Sequence, residues 1–224
     1  PTMFNGTIPA GPGGTGTAYA EIFKYQLGTR YDPFGTPHPM VIAYHGYGGS
    51  ANSVNLLSTI DEECNARGWV YFSPTGLDDQ LFGTPVAQQH VEVAMQWMLN
   101  NFNIDPDRLY MVGFSMGGGV TANFAARHRS PDGLMIAAIG VVSGTYDWAS
   151  TYETATSQDL IDILEHPLNF GGSPAAQLFR YQQASALHFL LGSYPPLPGK
   201  LLDLVSMSTN LGSTPSYLVW DSGD

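Results

Sequence analysis

A chain of 224 residues with 43% hydrophobic content can bury the core of one α/β domain, and no linker, internal repeat or membrane-length apolar run interrupts it. Its formal net charge of -11, from 19 acidic against 8 basic residues, argues against nucleic acid or anionic membrane as a partner and for an uncharged or weakly polar substrate. A single cysteine, Cys64, excludes an intrachain disulfide framework and reads as an ordinary buried thiol.

In chain order, residues 1–17 read as an N-terminal arm, because Gly, Pro and Thr crowd positions 9–16. Strands are expected at 18–27 and 40–44. Residues 53–67 carry helical spacing through Val54, Leu57, Ile60 and Cys64, and a strand at 69–72 follows. Val91, Ala94, Met95, Met98, Leu99 and Phe102 recur at steps of three and four, one apolar stripe of a helix that packs on a sheet. His90 is expected to open that helix. A strand at 109–114, a helix at 116–129 stopped by Ser130-Pro131-Asp132-Gly133, and a strand at 137–142 come next. Residues 146–215 form a long insert rich in aromatics and prolines, with helical pieces at 158–165 and 175–191. A last strand is expected at 217–220. Alternating apolar strands and helices predict a mostly parallel sheet covered on both faces, a three-layer α/β sandwich with its site along one sheet edge.

Two motifs carry chemistry. Gly113-Phe114-Ser115-Met116-Gly117 is a G-x-S-x-G pentapeptide between an apolar strand and a helix, the setting in which a sharp turn lifts a serine hydroxyl out of the backbone as a nucleophile. Small neighbours are needed there because the turn is strained and the helix packs close to its strand. In an order that fits, the 40–44 strand runs into His45-Gly46-Tyr47-Gly48-Gly49-Ser50, a loop able to turn backbone N–H groups toward one point.

With both motifs present, the chain resembles the α/β-hydrolase superfamily, and within it esterases of the polyhydroxybutyrate-depolymerase and feruloyl-esterase type. The likeness rests also on Trp69-Val70-Tyr71-Phe72-Ser73-Pro74-Thr75-Gly76, on Asn103-Ile104-Asp105-Pro106-Asp107-Arg108 and on Gly140-Val141-Val142-Ser143-Gly144. It implies Ser115 as nucleophile, backbone N–H groups of Tyr47 and Met116 as the oxyanion hole, and an acid after a later strand, Asp224 with Asp221 as the alternative, the histidine following the final strand. It also implies a cap-like role for the 146–215 insert. The superfamily places its histidine after the acid, and none follows Asp224. The expectation is therefore that the final strand and helix are missing from this chain and that a C-terminal fragment supplies the base. His45 is expected to brace its loop, His128 to sit in the last turn of a helix, and His38, His166 and His188 carry no supporting motif.

These residues predict a single domain over 1–224 acting as a serine carboxylic-ester hydrolase on small, aromatic or polyester esters. No cofactor and no metal are expected, since no H-x-x-x-H or paired-cysteine spacing occurs. The resemblance further implies a secreted or periplasmic location. Alternatives are a prolyl-oligopeptidase-like serine peptidase and a non-catalytic module that kept the fold.

Overall fold

The strands that the apolar runs predict assemble into one sheet. In a computed structural model, residues 2–9, 19–128, 132–187 and 215–219 are described, the last four as backbone. The strands β1 (Met3–Ile8), β2 (Glu21–Gln26), β3 (His38–Tyr44), β4 (Val70–Pro74), β5 (Ile104–Phe114), β6 (Ala138–Val142) and β7 (Ser216–Val219) lie in the order β1-β2-β4-β3-β5-β6-β7. The first two pairings, β1 with β2 and β2 with β4, are antiparallel, and all the others are parallel. Parallel strands in the middle of such a sheet are covered on both faces and so read as unbroken apolar runs. β4 is buried throughout, and β3 at every residue after His38.

Alternation along each strand divides the core in two. Met40, Ile42 and Tyr44 of β3, Val70 and Phe72 of β4, and Leu109 and Met111 of β5 pack with α3 (Pro85–Asn101) and α4 (Met116–Arg127). Val41, Ala43 and Tyr71 point the other way, toward Val54 of α1 (Ser53–Leu57) and Cys64 of α2 (Ile60–Arg67). Tyr110 and Val112 on that second face are only half-buried among the described residues, beside a cleft that Val41, Trp69 and Gly140 also line. The three-layer α/β sandwich is as expected, with one face covered less fully than the other.

Four local expectations change. The helix read at 53–67 is two helices, because Ser58 turns its hydroxyl on the backbone: Oγ donates to Val54 O at 2.7 Å and accepts from Ile60 N–H at 3.4 Å. Within the predicted arm, Met3–Ile8 pairs as an edge strand with β2, while residues 10–18 lie outside the described residues. His90 does not open a helix: α3 begins at Pro85 behind Thr84, and His90 sits buried on its inner side. From the insert, α5 (Trp148–Thr154), α6 (Gln158–Glu165) and α7 (Pro174–Ala184) are described; α6 matches its predicted bounds, but the helix read at 175–191 ends at Ala184, where Ser185 turns extended. His188, Phe189, Tyr194 and the remainder of the insert up to residue 214 lie outside the described residues, as do Trp220, Asp221 and Asp224.

Candidate active site

The chain reaches Ser115 at the C-terminal end of β5 and turns there into α4. Ser115 has φ 53° and ψ -119°, a conformation that L residues avoid, and it is exposed while every residue of α4 from Met116 to Ala126 is buried. Its N–H donates to Val142 O on β6 at 2.9 Å, and its carbonyl accepts from Gly118 N–H at 2.9 Å and Thr145 N–H at 3.3 Å. Backbone bonds on both sides therefore hold the strained residue in place. Gly117 is required because a Cβ there would enter the space of Tyr44 O and His45 O, and Gly113 because a Cβ would meet Gly117 O.

The loop after β3 lies against this turn. A Cβ on Gly46 would stand 3.3 Å from Phe114 O and 3.6 Å from the Ser115 Cβ, so the two loops touch through backbone. His45 is fully buried, its ring nitrogens 2.8 Å from Gly46 O and 3.0 Å from Thr75 O, and it braces the loop as expected. Gly48 N–H donates to Asp79 O at 3.1 Å. Among the described residues no group accepts the Tyr47 N–H, and the Met116 N–H, first in its helix, has no intrahelical carbonyl to bond. Tyr44, under this loop, has its phenol pushed up first by burial and then by Glu21 and Asp78; it remains a neutral hydroxyl donating to Thr75 O at 3.4 Å. Asp79 is raised as well, chiefly by a hydrogen bond with Asp78 and then by burial.

A pocket of about 430 Å³ opens over Ser115, with Tyr47, Phe82, Met116, Trp148 and Leu160 among its walls. Trp148 and Leu160 come from α5 and α6, so the insert does form one side of the pocket. Phe82 stands between the rings of Tyr47, at 5.9 Å, and Trp148, at 4.9 Å. Two other aromatics of the insert are core, Phe170 and Tyr181, which stack at 4.0 Å with no exposure, whereas Phe179 is exposed. Asp159, exposed in the first turn of α6, is the carboxylate among the pocket-lining residues.

The structure brings Ser115, Tyr47 and Met116 together but no described histidine to Ser115. His38 binds at the opposite strand ends, near Asp32 N–H and Gly68 O; His90 faces Glu21; His128 contacts Phe124 O and Glu92; His166 accepts from Leu168 N–H. Among the described residues no group of three or more His, Cys, Asp or Glu side chains could hold a metal. Sequence reasoning passed over Glu21, a fully buried carboxylate on β2 behind the loop. Its only signal was an acid inside an otherwise apolar-patterned strand.

These features define the α/β-hydrolase fold. A family model described as alpha/beta hydrolase fold matches residues 83–168, from the loop before α3 to just beyond α6. A protein of Acanthamoeba polyphaga mimivirus named as an alpha/beta hydrolase is 26% identical over 128 residues; the match takes in 50% of this chain and 48% of that protein, so the chain spans about half the length of the curated relative it matches. Among solved structures, a carboxylesterase from Lactobacillus plantarum is similar with a TM-score of 0.62 at 15% identity, covering 99% of this chain and 84% of that one. A Bacteroides ovatus protein named as a dipeptidyl aminopeptidase IV gives 0.65 at 16% identity, covering 99% of this chain and 32% of that one. At these identities the likeness is one of fold.

Proposed function

We propose that this chain is the nucleophile-bearing core of a serine carboxylic-ester hydrolase that works through an acyl-enzyme on Ser115. The observation that carries the reading is the strained, exposed Ser115 at the mouth of a pocket, beside two N–H groups, of Tyr47 and Met116, without acceptors among the described residues. Attack of the hydroxyl on an ester carbonyl puts negative charge on the carbonyl oxygen, and donors already aimed at that point stabilise it without reorganisation. The ester's alcohol leaves, and water then releases the acid from Ser115.

An alcohol needs a base. The described histidines are all engaged elsewhere, so this reading takes the imidazole from outside the described residues, with a C-terminal fragment carrying a histidine as the partner it calls for. Asp224, or Asp221 in its stead, is the acid assigned to that imidazole, because both follow β7, which pairs with β6 along the edge that holds Ser115. The walls formed by Phe82, Trp148, Met116 and Leu160 favour an apolar or aromatic acyl group, which suits feruloyl-like and polyester esters as well as small ones.

The test is hydrolysis of p-nitrophenyl butyrate and of a matched p-nitroanilide, by the 224-residue chain alone and by the full natural polypeptide, each beside Ser115→Ala. Ester cleavage reduced on the order of 10⁶-fold in the variant supports the reading. Cleavage that survives the substitution overturns it, and preference for the anilide assigns a peptidase instead.

A further inference from the structure

We propose that Glu21 is a positioning residue for the oxyanion loop, acting through the turn that follows β4; this rests on reading Ser115 as the nucleophile and Tyr47 N–H as an oxyanion donor.

Glu21 has no solvent exposure, and removing a carboxylate from water is unfavourable unless its hydrogen bonds are restored. All of those bonds are restored by one neighbourhood. Oε1 accepts from Thr75 N–H at 2.8 Å and Gly76 N–H at 3.0 Å, Oε2 accepts from Leu77 N–H at 2.7 Å, and His90 Nδ1 lies 3.2 Å from Oε2. Three successive backbone donors converge on one anion, a nest in which the charge replaces water. The turn is one that the backbone resists: Gly76 has φ 72° and Leu77 φ 74°, the second in a region where a leucine is strained. The carboxylate is the group that holds Leu77 there.

The clamped turn holds the oxyanion loop on its other side. Thr75 O faces His45 Nε2 at 3.0 Å and the Tyr44 hydroxyl at 3.4 Å, Thr75 Oγ1 accepts from Ala51 N–H at 3.4 Å, and Asp79 O accepts from Gly48 N–H at 3.1 Å. The bonds on His45, Gly48 and Ala51 bracket Tyr47, whose N–H has no bond of its own among the described residues to fix its direction. Strand β2 thus aims a donor it does not touch. A role confined to filling the core would need no charge, and an apolar side chain of similar volume would serve it better.

Glu21→Gln separates the two roles. Oε1 keeps Gly76, and Thr75 N–H also has Ile22 O at 3.0 Å, but the new amide meets Leu77 N–H donor to donor and releases it. In the full natural polypeptide, kcat for p-nitrophenyl butyrate is expected to fall roughly 10- to 100-fold with KM changed by less than about 3-fold, the pattern of a misaimed transition-state donor. Amide hydrogen exchange is expected to quicken at Leu77 and also at Gly48. Adding Leu77→Gly, which adopts φ 74° without strain, should restore much of kcat and slow the Gly48 exchange. Faster exchange at Leu77 with Gly48 unchanged, or a wild-type kcat in Glu21→Gln, overturns the proposal. If Glu21→Gln does not fold, Glu21→Asp carries the same test, keeping the charge while withdrawing it from Leu77. Hydrolysis abolished by Ser115→Ala but untouched at Glu21 sinks the Glu21 proposal alone; a full polypeptide with no Ser115-dependent hydrolysis sinks the reading of Ser115 first.

Discussion

Two glycines within contact of the elbow do different work, and substituting each by alanine separates folding from catalysis. At Gly117 a methyl would enter the space of two backbone carbonyls, Tyr44 O and His45 O, which belong to a buried strand end and cannot step aside. Gly117→Ala is expected to destabilise by about 1–3 kcal/mol or more, read as a lowered midpoint in urea unfolding; a wild-type midpoint would contradict so close an approach of the helix to the strand end. At Gly46 the methyl would meet only Phe114 O at 3.3 Å and the Ser115 Cβ at 3.6 Å, so a shift of a few tenths of an ångström relieves it. Gly46→Ala should therefore keep its unfolding midpoint and lose roughly 10-fold or more in kcat, because the shift moves the Tyr47 N–H. Equal losses in both properties at both sites would refute the distinction. The pentapeptide itself was legible in sequence, since a serine flanked by Gly113 and Gly117 needs no tertiary knowledge to be recognised. Glu21 was not: its bonds run to Thr75, Gly76 and Leu77, more than fifty positions away, and no local pattern marks such a pairing.

At the scale of an element, α2 shows how a helix of low apolar content is held. Asp61, Glu62 and Glu63 complement its N-terminus and Arg67 its last turn, Gly68 closes it at φ 74°, and Cys64 is its buried side chain, set against Val41 and Tyr71. Burial, reinforced by Asp61, pushes the Cys64 thiol from an ordinary 9.0 up to about 12. The sign follows from linkage. Between those values the unfolded chain has lost the proton that the folded chain retains, so the contribution of Cys64 is complete below about pH 9 and is lost as pH rises toward 12. Burial raises the Tyr44 and Tyr71 phenols as well, which adds in the same direction. Melting temperature should fall steadily from about pH 9 to about pH 11, less steeply in Cys64→Ala, and Ellman's reagent should find the thiol only in the unfolded protein. A flat melting temperature over that range, or a native thiol that reacts at once, is the contrary result.

Across the whole molecule, the charge of -11 bears on which substrates the proposed esterase would admit, and Asp159 at the pocket adds to it locally. At low ionic strength kcat/KM for a neutral p-nitrophenyl ester should exceed that for an analogue ending in a carboxylate. The gap should narrow as salt shortens the screening length below about 10 Å at 0.1 M and beyond. A ratio independent of salt would place the discrimination in shape instead of charge. The same scale explains the convergence at the site. β3, β4, β5 and β6 are parallel neighbours, so the loops at 45–50, 75–79, 115 and 143–145 all leave the same sheet edge.

By itself the sequence determined most of the elements and singled out Ser115, because apolar periodicity and a glycine-flanked serine are local consequences of backbone sterics and burial. It also determined the α/β class, since strands alternating with helices admit few arrangements. The tertiary structure decided what distance along the chain concealed. It drew Met3–Ile8 into the sheet and turned His45 to Thr75 and His90 to Glu21. Each of these outcomes depends on which polar group finds its partner in three dimensions, and a buried hydrogen bond carries no periodicity for a sequence to display.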